Sequence, residues 1–155
     1  MMRKPKPAQN ISAKDIASEC LGFQIRLLNR VVTSMFTEAL RPHGIHASQF
    51  DLLVAISVAG SVRAADLAGP MQMSRSTLSR NLDRMKAAGW VAYLPDPDDA
   101  RARKVAITVD GQAVLKAARS AWRQVQVDVQ ELLGQEVADA LEDGAQRAKS
   151  AGRHQ

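Results

Sequence analysis

Ser74-Arg-Ser-Thr-Leu-Ser-Arg-Asn-Leu82 runs on through Met85 to Gly89-Trp-Val91, and Asp96-Pro-Asp-Asp-Ala-Arg-Ala-Arg-Lys-Val-Ala-Ile-Thr108 follows after a short interval. Leu78, Leu82 and Met85 recur at spacings of four and three, so they share one face of a helix from Ser74 to Ala88, which Gly89 closes. The opposite face of its first two turns carries Arg75, Ser76, Ser79 and Arg80, with Thr77 at the margin and no acid before Asp83. Long cations and short hydroxyls are the side chains that reach guanine edges, phosphate oxygens and thymine methyls. The free amides and the positive dipole end of the first turn add to that attraction. An ordinary solvated helix face has the same composition, so the face needs its surroundings to decide it.

Downstream the period changes. Trp90 to Leu94 is rich in aromatic and branched residues, and Lys104 to Val109 alternates with Val105, Ile107 and Val109 on one side, which predicts a two-stranded hairpin. Pro95 to Arg103, with two prolines and many charges, is expected as an exposed loop between the strands. Upstream, a short helix over Ala64 to Ala68 and a polar turn lead into Ser74, and Ser48 is placed as the N-cap of an earlier, largely apolar helix through Phe50, Leu52, Leu53 and Ile56 that Gly60 ends. Helix, turn, helix and charged hairpin in this order make a winged helix-turn-helix.

Two longer helical stretches flank that unit. From Ser12 or Asp15 to Pro42, Ile16, Cys20, Leu27, Val31 and Met35 form one apolar stripe, and Leu21, Ile25, Leu28, Val32, Phe36 and Leu40 a second, which predicts one long helix apolar on two sides. Its own chain covers one side, and a second subunit is the natural cover for the other. From Gly111 the helical period returns through Val114, Ala118, Ala121, Val125, Val129 and Leu132, and a weaker helix follows Gly134 with Val137, Leu141 and Ala145. The expected fold class is mainly α, a winged helix-turn-helix with a small β-hairpin wing and N- and C-terminal dimerisation helices. The expected division is a basic tail over 1–12, the first dimerisation helix and linker over 13–47, the DNA-binding lobe over 48–110, C-terminal dimerisation helices over 111–150 and a tail over 151–155.

Bulk composition narrows the function. The 155 residues include 46% hydrophobic residues, enough for a core, and 21 Lys and Arg against 16 Asp and Glu, a formal charge of +5 that favours a polyanionic partner. A single cysteine excludes an intrachain disulfide, the first ten residues lead into no signal-like apolar run, and no stretch reaches the length of a membrane span, so a cytoplasmic protein with no membrane partner is expected. No phosphate loop, metal motif or nucleophile elbow is present, so neither an enzyme nor a cofactor is expected. A non-specific architectural or RNA-binding protein is the alternative that the basic balance would also suit. An aromatic content of 4% argues against single-strand stacking.

The Ser74 to Leu82, Gly89 to Val91 and Asp96 to Thr108 segments together resemble the MarR family of transcriptional regulators, over about Ala17 to Gly134. The most specific part is Asp-x-Arg at Asp99 and Arg101, with Thr108 and Gly111 in register. The resemblance implies that Arg101 enters the minor groove while Asp99 orients it, with Arg103 beside them. The residues agree, because Asp96, Asp98 and Asp99 balance Arg101, Arg103 and Lys104, so raw positive charge is not the purpose of the wing. Two positions depart from the family pattern. Gln72 stands where a glycine is usual in the helix-turn-helix turn, and Pro70 falls at the end of the short helix, so a left-handed Gln72 would cost on the order of 1 kcal/mol.

The resemblance further implies a homodimer on a pseudo-palindromic double-stranded DNA operator with half-sites about 10 bp apart, a repressor released by a small molecule or an oxidant. It also implies an effector pocket between the dimerisation helices and the DNA-binding lobe, for phenolic or other small anionic aromatic compounds. Arg26, Arg30, His43 and His46 are candidates for that pocket, against plain surface solvation. Cys20 is the candidate redox site, against an ordinary apolar-face thiol. Zinc at His43, His46 and Cys20 would need a fourth ligand and rests on a weak spacing, and no metal site is expected.

Overall fold

The structure is a computed structural model that describes residues 12–151, and in it the side chains of residues 100, 101, 149 and 151 are left aside. The basic N-terminal tail and the C-terminal tail expected from the sequence therefore lie outside the described residues, apart from Ser12 and Ala151. Among the described residues, seven α-helices and three strands follow in the order α1 (Ala13–Glu19), α2 (Leu21–Leu40), α3 (Ala47–Ala59), β1 (Ser61–Arg63), α4 (Ala64–Ala68), α5 (Arg75–Ala87), β2 (Val91–Asp96), β3 (Asp99–Ile107), α6 (Val109–Leu133) and α7 (Gln135–Ala151). A 3-10 turn over Arg41–His43 joins α2 to α3. The fold is mainly helical, with one antiparallel sheet of order β1-β3-β2.

The single long N-terminal helix predicted from the two stripes is broken at Cys20. Its extended backbone (φ −73°, ψ 105°) ends α1, donating its amide to the Ile16 carbonyl, and begins α2, accepting from Phe23 and Gln24. Cys and the nearby Gly22 are poor helix formers. The first helix is capped by Ser12 and Asp15, each bonding the other's backbone amide.

The next helix begins at Ala47, with His46 and not Ser48 as its N-cap. The His46 carbonyl accepts the Gln49 and Phe50 amides at 2.9 Å, and Gln49 Oε1 accepts the His46 amide at 3.1 Å, which draws the start back. Strand β1, which the sequence reading missed, is three residues long and is held by pairing with a strand some forty residues on, Val62 opposite Val105. The predicted loop from Pro95 to Arg103 is mostly strand, since β2 reaches Asp96, β3 starts at Asp99 and only Pro97 and Asp98 turn. Pro95 is tolerated because the register shifts beside it. Helix α6 begins at Val109, two residues before Gly111, because the Thr108 hydroxyl accepts the Gly111 amide at 3.1 Å. Val109 is therefore exposed and does not belong to the strand face.

The core lies where α3, α5 and the sheet meet the end of α2 and the start of α6. Leu40, Leu52, Leu53, Ile56, Leu82, Met85 and Val105 are its fully buried side chains. Burying each of these large apolar groups is worth about 1.5–3 kcal/mol, and this core fixes the inner face of α5.

Candidate nucleic-acid interface

Helix α5 starts where expected. Ser74 is its N-cap, with Oγ accepting the Thr77 amide at 3.2 Å and donating to Thr77 Oγ1 at 2.9 Å. Leu78, Leu82 and Met85 are buried, and Ser74, Arg75, Ser76, Thr77, Ser79 and Arg80 are exposed. Arg80 lies back along the helix, donating from Nε to the Ser76 carbonyl at 3.1 Å, and Ser79 donates to Asp83 at 3.5 Å. Among the described residues neither Arg75 nor Arg80 has an acidic partner. Two guanidinium groups thus stand on one exposed face with their charge uncancelled. The turn before α5 contains Gln72 at φ 51°, the left-handed backbone expected there. Its amide and its side-chain Nε2 both donate to the Gly69 carbonyl, at 3.0 and 3.2 Å.

A dense joint ties α5 to the hairpin. Gly89, at φ 77°, lets the chain turn out of the helix, and the Trp90 amide donates back to the Met85 carbonyl at 2.9 Å. Across the joint, Thr108 Oγ1 donates to the Gly89 carbonyl at 2.6 Å and the Thr108 amide to the Trp90 carbonyl at 3.0 Å. Gly111 packs so closely that a Cβ there would lie 2.1 Å from the Trp90 carbonyl oxygen. Lys86 Nζ sits 5.3 Å from the centre of the Tyr93 ring, a cation–π contact from helix to strand.

In the wing, Asp99 opens β3, Arg103 is exposed and Arg101 lies on the same strand, its side chain outside the described structure. The base of the wing holds a cluster that sequence reading missed. Asp96 is fully buried as a side chain, ion-paired to Arg63 from β1 and to Lys104 from β3 at 3.3 Å, and it accepts the Asp98 amide at 3.0 Å. The Arg63 hydrogen bond, followed by the Asp98 amide, holds the Asp96 carboxyl at about 2, against the opposing effect of burial. Nothing in the order Asp96-Pro-Asp-Asp marks the first acid as the buried one, because its partner Arg63 is supplied by the unpredicted strand.

The sequence pattern of the MarR family matches residues 43–102. The multiple antibiotic resistance protein MarR of Salmonella typhimurium is 33% identical over 105 residues, which cover 66% of this chain and 73% of that protein. The chain belongs to the MarR family. Among solved structures, a mutant of E. coli MarR complexed with operator DNA matches 86% of this chain and 96% of its own, with a TM-score of 0.78 and 26% identity. The M. tuberculosis transcriptional regulator MOSR in complex with DNA matches 85% and 98%, with a TM-score of 0.71 and 30% identity. The relatives are transcriptional regulators and not enzymes, and this member is a DNA-binding transcriptional regulator of winged-helix fold. No helix among the described residues is long and apolar enough to cross a membrane.

The sequence candidates for an effector site are spread over α2, the 3-10 turn and the start of α3. Arg26 and Arg30 are exposed on α2, His43 lies in the 3-10 turn, His46 caps α3, and Cys20 is half-buried at the helix break. Among the described residues no hydrogen bond or ion pair joins any two of them, and no group of three or more His, Cys, Asp or Glu could hold a metal. A cleft of about 560 Å³ opens elsewhere, between α3 and α6. Phe50, Val54, Met71, Leu115 and Trp122 give it apolar walls, and Arg119 and Arg123 stand at its edge. Asp51, also in this cleft, has its carboxyl pushed up by burial. The signal that could have found the cleft is Arg119-x-x-Trp122-Arg123, which puts two cations and an indole on one side of α6.

Proposed function

We propose that this chain acts as a homodimeric repressor that reads a pseudo-palindromic operator through α5 and the wing and releases it when a small anionic aromatic compound binds. The observation that carries the DNA reading is the face of Ser74, Arg75, Ser76, Thr77, Ser79 and Arg80, exposed while Leu78, Leu82 and Met85 lock the same helix to the core. Asp99, Arg101 and Arg103 of the wing supply the groove contact beside it. Selection of a preferred duplex from a random library, followed by competition against random DNA, tests this. Arg75→Ala or Arg80→Ala should cost about 1–3 kcal/mol of that preference, and an unchanged preference would leave only a sequence-blind architectural role. Arg101→Ala should lower the salt slope of binding by about 0.9.

The dimer reading rests on apolar side chains left open on the flanking helices, with Leu21 77%, Ile25 59% and Leu132 57% exposed. They lie on the segments 13–47 and 111–150 that flank the 48–110 DNA-binding lobe. A stable pairing would bury about 2,000 Å² or more, and sedimentation across a dilution series checks it. The effector reading rests on the α3–α6 cleft, where apolar walls suit an aromatic ring and two arginines suit its carboxylate. Hydroxybenzoate should weaken operator binding with a coupling of about 1–3 kcal/mol. In Arg119→Ala the response should vanish while operator affinity in its absence stays.

A further inference from the structure

We infer that Asp96 is a specificity-determining residue for DNA binding: it holds Arg63 and Lys104 at the base of the wing and so keeps two cations from adding sequence-blind attraction to phosphates. Arg63 ends β1 and sits opposite Lys104 of β3, so both lie where the sheet hands over to the helix-turn-helix. One buried carboxylate takes both, and Asp98 Oδ2 adds a second acid 3.8 Å from Lys104 Nζ.

Holding the strands together does not require this arrangement. The backbone ladder and the Val62–Val105 pair already join β1 to β3, and well-packed neutral residues commonly replace a buried ion cluster without loss. What neutral residues cannot do is cancel positive charge beside a polyanion. Phosphate attraction ignores sequence, and each cation that engages a phosphate steepens the salt dependence by about 0.9. The same strand shows the contrast. Arg103, next to Lys104, is exposed and has no acidic partner among the described residues. The wing thus separates the cations it offers to DNA from those it holds back.

The test uses the full chain, its selected operator duplex and a random duplex of equal length, each titrated over a salt series. Asp96→Asn should bind random DNA several-fold more tightly at low salt, steepen the slope by about 1–2, and narrow the operator-to-random ratio. Arg63→Gln and Lys104→Gln, which remove cations already held by Asp96, should each leave the slope within about half of one cation's worth. Asp96→Asn with an unchanged or shallower slope would overturn the inference. So would a drop of about 0.9 in either Gln variant, and those two variants decide the matter if Asp96→Asn does not fold.

Discussion

The outer face of α5 and the base of the wing carry the same kinds of charge and handle them in opposite ways. On α5, Arg75 and Arg80 stand exposed with no acidic partner among the described residues, and the helix beneath them is fixed by apolar contacts. At the wing base, Arg63 and Lys104 are bound to Asp96, from which solvent is excluded, and Asp98 stands 3.8 Å from Lys104, so two acids face two cations. Where the cation is to meet a ligand, the framework is apolar and the charge is left open. Where it is part of the framework, the charge is cancelled.

The joint between the two regions gives the largest expected effect. Gly111→Ala puts a methyl group into backbone at the Trp90 carbonyl, which cannot swing aside as a side chain could. A loss on the order of 3 kcal/mol is expected, seen as a large fall in Tm together with operator binding. An intact Tm would mean that the joint yields more easily than its contacts imply. Next in size, Arg75→Ala and Arg80→Ala should lose binding as stated while folding stability stays within about 0.5 kcal/mol. A matching drop in stability would mean that these side chains build the helix as well as read DNA.

The wing base should respond to acid where α5 does not. The folded Asp96 carboxyl is held at about 2, below its unfolded value near 4, so its contribution is present above about pH 4 and fades as pH falls toward 2. The stability gap between the native chain and Asp96→Asn, measured by denaturant midpoint, should therefore close over that window. A gap independent of pH would show that the carboxylate charge contributes nothing to stability. The smallest effect is expected at the turn before α5. Gln72→Gly removes the strain of φ 51° but also loses the side-chain bond to Gly69, so Tm should rise by the equivalent of about 1 kcal/mol or less.

Helix α5 was legible because one chemical contrast, Leu78, Leu82 and Met85 inward against hydroxyls and arginines outward in the first two turns, marks its two faces. Its Ser74 cap follows from a local rule, and the φ of Gln72 from the family pattern at that position. The break at Cys20 was hidden because the apolar stripes run through it unchanged, and only backbone geometry shows the turn. Strand β1 was hidden because three residues carry no period, and its partner is distant. Asp96 was lost with it. Residue type alone points to Arg26, Arg30, His43 and His46, and no hydrogen bond or ion pair among the described residues joins them, while the cleft takes its arginines from α6, away from its apolar seam.

The interlock of Gly89, Trp90, Thr108 and Gly111 has a mechanical meaning. It clamps the end of α5, the root of the hairpin and the first turn of α6 at one point. Helix α5 and the hairpin are therefore rooted at one point on α6, and a displacement of that first turn would carry both together.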